Sequence, residues 1–281
     1  MREEIQLKLH TDKTEYLLGE PVVAYIEVSN IGTQSRSLSN QLDPEYEIVK
    51  FFIKNGDKEN LFRPSVVLDS LFRTSLIKPG DSMNAAAKIF YGGKGWTFNS
   101  TGKYQIRATY HGLVDISNEV QSNIAEVNIR SPMNVEEKEQ VNLIMGAEQG
   151  LFLLFEQGDH LINGMNSLAK LTDKFPQSDL AGYANLALGK NYSTDFKDFQ
   201  KGRVRKAEIN KSIAHLKSAK DKEIGSYFKR QAFLTLTSVF RRSNNIAAAK
   251  ETLNEFIQIF SGDIRNSDSI NKAKTILNEL S

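Results

Sequence analysis

Cysteine is absent from this 281-residue chain, and that one absence removes disulfides, thiolate metal sites and cysteine nucleophiles together. Histidine is scarce. His10, His111, His160 and His215 are scattered, none in an HExxH-type spacing, so they read as structural or surface residues and no metal centre or cofactor is expected. Charge of one sign is scarce as well: 36 Lys+Arg stand against 34 Asp+Glu, for a formal net charge of +2. So balanced a chain has no long-range field to draw in nucleic acid or an anionic membrane. Long hydrophobic runs are missing too. No stretch approaches the roughly 20 apolar residues of a membrane span, so a transmembrane segment is not expected. Met1-Arg2-Glu3-Glu4-Ile5 lacks the apolar core of a signal peptide. A strand-like pattern already runs at residue 5, which favours a periplasmic, secreted or cell-surface protein whose export signal has been trimmed away. A cytoplasmic location is the alternative.

What is present falls into two patterns. In Ile5-Gln6-Leu7-Lys8-Leu9 apolar and polar side chains alternate, placing three aliphatics on one face of a strand. Gly19-Glu20-Pro21 then makes a corner, and Val22 to Val28 supplies a second strand. Tyr46 to Ile53 is rich in aromatic and β-branched residues and runs into Asn55-Gly56, the dipeptide of a type I′ hairpin turn. Pro79-Gly80-Asp81 turns ahead of a strand near Met83 to Tyr91, and further strands follow at Gly102 to Tyr110 and Ala125 to Ile129. Short strands at this spacing, with no helical periodicity between them, predict an antiparallel β-sandwich. Asn60 to Leu76 is long for a sandwich connection and reads either as an extra strand or as an exposed binding loop.

Asp12-Lys13 with Tyr16, Gly19-Glu20-Pro21-Val22, Lys78-Pro79-Gly80-Asp81 and Gly102-Lys103-Tyr104-Gln105-Ile106-Arg107-Ala108 resemble bacterial immunoglobulin-like and macroglobulin-like domains. The resemblance covers roughly residues 5 to 130. It implies a fold class and leaves function open, since such domains serve as spacers, adhesive modules and enzyme accessories.

Ser131-Pro132-Met133-Asn134 ends the strand pattern. The expected division is therefore 1–131, an Ig-like sandwich, and 132–281, a helical domain. Asn134 is a candidate N-cap, with Glu136 and Glu137 at the positive end of the helix that follows. Apolar residues at 141, 144, 145, 151, 152 and 155 predict one helix from Val135 to Gln157, and Leu161 to Leu171 predict another ending before Pro176.

Phe155, Gly164, Leu168, Leu171 and Pro176 fit the offsets of a tetratricopeptide-type hairpin. Leu188-Gly189 with Tyr192, and then Phe233, Leu236, Phe240, Ile246, Ala249, Leu253 and Phe256, fit further units. Residues 135 to 281 thus resemble a TPR-like array, an α-α superhelix of about three hairpins, with a capping helix near Ser269 to Leu280. The middle unit departs from the pattern. It has an insertion around Ser193 to Arg203, and its second helix, with Ile209, Ile213 and Leu216, lacks the small-residue spacing. Phe175-Pro176-Gln177-Ser178 through Ala181 resembles junctions in bacterial envelope repeat proteins.

In such arrays the first helix of each hairpin lines the inside, which the resemblance maps onto Asn185, Lys190, Lys229 and Arg230. Lys197 to Lys222 carries nine Lys/Arg against three Asp/Glu. It reads first as a solvated helix face, and second as a basic patch for an acidic partner centred on Lys201, Arg203, Arg205 and Lys206. With few interleaved aromatics, nucleic acid is not the expected partner. Gly92-Gly93-Lys94-Gly95 lacks the Ser/Thr of a phosphate loop and reads as a hairpin turn displaying Trp96, the only tryptophan. Trp96 packs either in a core or as an aromatic platform for a sugar or peptide. No GxSxG element occurs. The expected function is therefore non-enzymatic: a cell-envelope scaffold binding a protein or peptide through its helices. The alternative is an accessory protein whose sandwich binds carbohydrate or an extracellular protein.

Overall fold

The structure is a computed structural model that describes residues 4–69, 71–112, 119–198, 202–262 and 267–280. It divides into two compact units, 1–133 and 134–281, the first built of strands and the second mainly of helices.

In the first unit the strands are β1 (Ile5–Thr11), β2 (Glu15–Leu17), β3 (Val23–Asn30), β4 (Arg36–Ser39), β5 (Val49–Asn55), β6 (Lys58–Leu61) and β7 (Thr74–Ile77). They are followed by β8 (Ser82–Lys88), β9 (Tyr91–Gly92), β10 (Gly95–Trp96), β11 (Gly102–Tyr110), β12 (Val120–Gln121) and β13 (Ala125–Arg130). One sheet has the order β1-β3-β8 and another β2-β13-β11-β5-β6, with β12 on β11 and the β2–β13 pair parallel. Alternation decides which side chains go inside. Ile5, Leu7 and Leu9 of β1 and Ile26 and Val28 of β3 share one buried cluster with Phe51 and Ile53 of β5, Ile106 and Tyr110 of β11, and Val127 and Ile129 of β13. Each such side chain contributes about 1.5–3 kcal/mol of burial.

Pairing of Asn55 with Lys58 puts Gly56-Asp57 at the β5–β6 turn. The sequence pattern suggests Asn55-Gly56 there. Gly56 alone of these takes a positive φ, 59°, which sets glycine at the first turn position, as in type II′ rather than I′. The Asn60 to Leu76 stretch ends one strand and begins another, β7, which pairs with β4. Between them Val66, Val67, Leu68, Leu71 and Phe72 are exposed.

The second unit contains α1 (Val135–Ile144), α2 (Ala147–Phe155), α3 (Ile162–Lys174), α4 (Asp179–Tyr192), β14 (Phe196–Asp198) and β15 (Arg203–Arg205). After these come α5 (Ile209–Lys220), α6 (Ser226–Arg242), α7 (Ile246–Phe260) and α8 (Ser267–Glu279). The Asn134 side chain accepts from the Glu137 amide at 2.8 Å, and the Ser178 hydroxyl caps α4 by accepting from Ala181 at 3.1 Å. The single helix expected over Val135 to Gln157 is two. Gly146 begins the second in an extended conformation, and the Gln149 side chain folds back to donate to the Leu143 carbonyl at 3.3 Å, satisfying an end of α1. Phe152 is fully buried and Phe155 is 40% exposed, so the aromatic that fits the hairpin offsets is not the one in the core.

Consecutive helices from α2 to α8 pack on one another, α2 also meets α4, and α4 also meets α6. Residues Leu180 to Gly189 of α4 are buried without exception, because its small residues admit neighbours closely. A β-carbon at Gly189 would stand 2.7 Å from Leu216 Cγ, and one at Gly182 would stand 2.6 Å from Ile224 Cγ2. The insertion after Tyr192 forms the β14–β15 hairpin. Among the described residues no helix is long and apolar enough to cross a membrane.

Candidate functional site

A cleft of ≈ 350 Å³ opens on the β unit between the β5–β6 hairpin and the β9–β10 hairpin. Its shape depends on glycine. The Gly93 amide donates to the Arg63 carbonyl at 2.8 Å, and a β-carbon on Gly92 would lie 2.2 Å from that same oxygen. No other residue allows the two segments so close. Pairing of Gly92 with Gly95 makes the glycine-rich run a hairpin turn that presents Trp96. The indole is half-buried, edge-on to Tyr91 at 5.7 Å and tilted against Phe90 at 5.8 Å, so fixed aromatic neighbours hold it at the cleft wall.

Polar groups surround it. Asn55, Asn60, Thr97 and Asn99 line the cleft together with Tyr104. Asn55 donates to Ser100 Oγ at 3.1 Å, and Tyr104 donates to the Ser100 carbonyl at 3.0 Å, which fixes that end. Lys58, Arg63 and Lys94 also line it, and the lining holds no Asp or Glu. The strand alternation of β6 explains part of this: Glu59, between Lys58 and Asn60, is engaged bidentately by Arg107 at 2.7 and 2.9 Å. That guanidinium holds the Glu59 carboxyl below its ordinary range. Of the cleft residues the sequence singles out Trp96 as a candidate contact and Asn60 to Arg63 only as the start of a long connection that reads as a strand or a binding loop. The others come from segments some 30 residues apart that β pairing brings together.

The residues mapped onto the inside of the helical unit behave differently. Asn185 is buried, with its Oδ1 2.7 Å from His215 Nδ1, so it is a core residue rather than a surface contact. The cause is α5, whose His215 covers it while stacking on Tyr192. Burial pushes the His215 pKa below its ordinary value. Lys190 is paired with Glu156, a buried residue at φ 56°, and reaches Gln231 Oε1 at 3.4 Å. Lys229 pairs with Glu223 at 3.1 Å, and Arg230 is half-buried.

The basic stretch is partly paired. Arg205 donates to Asp159 at 2.5 Å and to the Asn191 carbonyl at 2.7 Å, fastening the hairpin to the helices. Lys206 pairs with Asp195 at 2.8 Å and Lys211 with Glu208 at 2.5 Å. Arg203 is exposed on β15 beside Val204, and Lys201 lies outside the described residues.

Among the described residues no cluster of three or more His, Asp or Glu converges as a metal site would. Ser167 and Lys170 stand in a Ser-x-x-Lys spacing on α3, where the Ser167 hydroxyl donates to the Leu143 carbonyl at 2.8 Å and so ties α3 to α1.

No protein-family model matches this chain, and no curated protein matches it. Solved structures similar to parts of it include a β-glucosidase from Listeria innocua, at 13% identity and TM-score 0.26 over 46% of this chain and 16% of that one. The alkylpurine DNA glycosylase AlkC of Pseudomonas fluorescens is 12% identical, with TM-score 0.28 over 46% of this chain and 31% of that one. Spo0M, a sporulation control protein from Bacillus subtilis, is 11% identical, with TM-score 0.27 over 50% of this chain and 55% of that one. This chain thus spans about half or less of each, and likenesses this low assign neither family nor activity.

Proposed function

We propose that this chain is a non-enzymatic recognition protein of the bacterial cell envelope, an Ig-like β-sandwich followed by a TPR-like array that binds a protein or peptide. The carrying observation is the neighbour pattern of the helices. α2/α3, α4/α5 and α6/α7 pack as successive hairpins, and their first helices also touch, α2 on α4 and α4 on α6. Nearest-neighbour stacking of this kind is what a helical repeat uses to build one continuous core. The sandwich reading is supported by the two main sheets sharing a single buried cluster. The envelope location rests on the Phe175 to Ala181 junction.

Within the helical unit the contact surface includes Arg203, exposed Val204, Lys229 and Arg230, and excludes buried Asn185. Each unit, expressed alone, tests the reading. A partner captured by the full chain is retained by residues 134–281, and retention by residues 1–133 only would refute it.

A second reading concerns the β unit: its Trp96 cleft binds a saccharide. A half-buried indole among asparagine side chains supports it, since sugars present apolar ring faces and vicinal hydroxyls together.

A further inference from the structure

We infer that the Trp96 cleft is selective for an acidic, carboxylate-bearing saccharide over a neutral one. The inference rests on the second reading above and adds the charge of the ligand. In a chain whose basic and acidic residues nearly balance, 36 against 34, the cleft lining departs from balance, with Lys58, Arg63 and Lys94 and no carboxylate. Several cations elsewhere are matched: Lys190 with Glu156, Arg205 with Asp159, Lys206 with Asp195, Arg107 with Glu59. Among the described residues, Lys58, Arg63 and Lys94 have no ion pair. A cluster of like charges around a concavity focuses potential inward and repels itself until an anion enters.

The cleft volume of ≈ 350 Å³ lies within the range of about 300–1,000 Å³ typical of small-ligand sites. The neighbouring groups specify more than charge. Asn60 and Asn99 each offer an amide donor and acceptor, which suits paired hydroxyls. Trp96 contributes aromatic surface, while Lys58 and Lys94 line the cleft from opposite hairpins. An acidic peptide would satisfy the cations and leave the amide and indole surfaces without their complement, so the saccharide is the occupant argued for.

The test is a titration of the full chain with a defined oligogalacturonate and with the corresponding neutral oligogalactoside, read by calorimetry and by fluorescence of the sole tryptophan. The expected result is binding of the oligogalacturonate, with a shift in Trp96 emission and an affinity that falls as salt rises. The triple variant Lys58→Gln, Arg63→Gln, Lys94→Gln should weaken binding about tenfold, the sum of three partly exposed charge contacts. A matched triple variant on the helical unit, Lys197→Gln, Lys217→Gln, Lys272→Gln, controls for net charge and should leave affinity unchanged. Equal binding of the neutral oligogalactoside overturns the charge inference and leaves the saccharide reading standing. Binding of neither overturns both. Binding of poly-glutamate at the same strength, with the same Trp96 response, replaces the saccharide by an acidic peptide and overturns the proposal.

Discussion

Gly164 and Glu148 lock the first hairpin of the helical unit at its crossing point. The Gly164 amide, in the first turn of α3, donates to the Glu148 carboxylate at 2.9 Å, and a β-carbon there would stand 2.7 Å from the Glu148 carbonyl carbon. Glu148 therefore caps a neighbouring helix's unpaired amide while its backbone is packed against the glycine. That hydrogen bond comes first among the causes that hold the Glu148 carboxyl below its ordinary range.

A glycine inside a helix ordinarily destabilises by about 0.5–1 kcal/mol relative to alanine. Here the sign reverses. Gly164→Ala should lower stability by about 1–3 kcal/mol, because the contact is to backbone that cannot rotate away. Urea unfolding measures it, and an alanine variant as stable as the parent would show that the helices separate freely.

The buried His215 predicts a pH dependence. Its pKa is lowered from 6.5, first by burial, with Lys211 adding to the shift and Asp173 opposing it. The unfolded chain thus takes up the proton more readily, so this group's contribution to stability is intact above pH 6.5 and is lost as pH falls through that value. His215→Gln, which keeps a donor for Asn185, should reduce the difference between unfolding midpoints at about pH 7.5 and pH 5.5. An undiminished difference would assign the effect to other groups.

In the β unit the Tyr110 hydroxyl donates to the Ser39 carbonyl at 2.7 Å, and the Ser39 amide donates to Gly112 at 2.8 Å. Both residues are fully buried. Tyr110→Phe removes the donor and leaves a buried carbonyl unmatched, a loss of about 1–3 kcal/mol. Thermal unfolding followed in the β-sheet circular dichroism band checks it, and a shift in Tm under one degree would contradict it.

Trp96 stands half-buried among Lys58, Arg63 and Lys94. At low ionic strength iodide should quench its emission more strongly than caesium does, with the gap closing as salt screens the cations over a Debye length of about 10 Å at 0.1 M. Equal quenching at low salt would mean that the indole does not sense those charges.

The division into strands and helices was legible because alternation and the 3.6-residue spacing are properties of neighbouring residues. The Asn134 cap follows from the same local chemistry, whereas the close approach of Gly164 to Glu148 is set by the packing of two helices. The break at Gly146 was less legible, since apolar spacing continues across it and the Gln149 side chain that closes the end of α1 gives no periodic signal. Ser212 was also missed: buried in α5, it is the small residue of the middle hairpin and donates to the Gly189 carbonyl at 2.7 Å.

The site depended on longer-range facts. Sequence alone determined that Trp96 follows a glycine-rich turn, that the chain is nearly neutral, and that Lys197 to Lys222 is its most basic stretch. Tertiary structure decided which cations are spoken for. Within the basic stretch Arg205, Lys206 and Lys211 are matched by Asp159, Asp195 and Glu208, and Asn185 is sealed beneath His215. Lys58, Arg63 and Lys94, which no sequence pattern groups together, meet around one cleft because the β5–β6 hairpin and the Gly92–Gly93 approach bring distant segments together. Periodicity is local and is written in the chain, whereas ion pairing depends on distances of a few ångströms that only the folded packing sets.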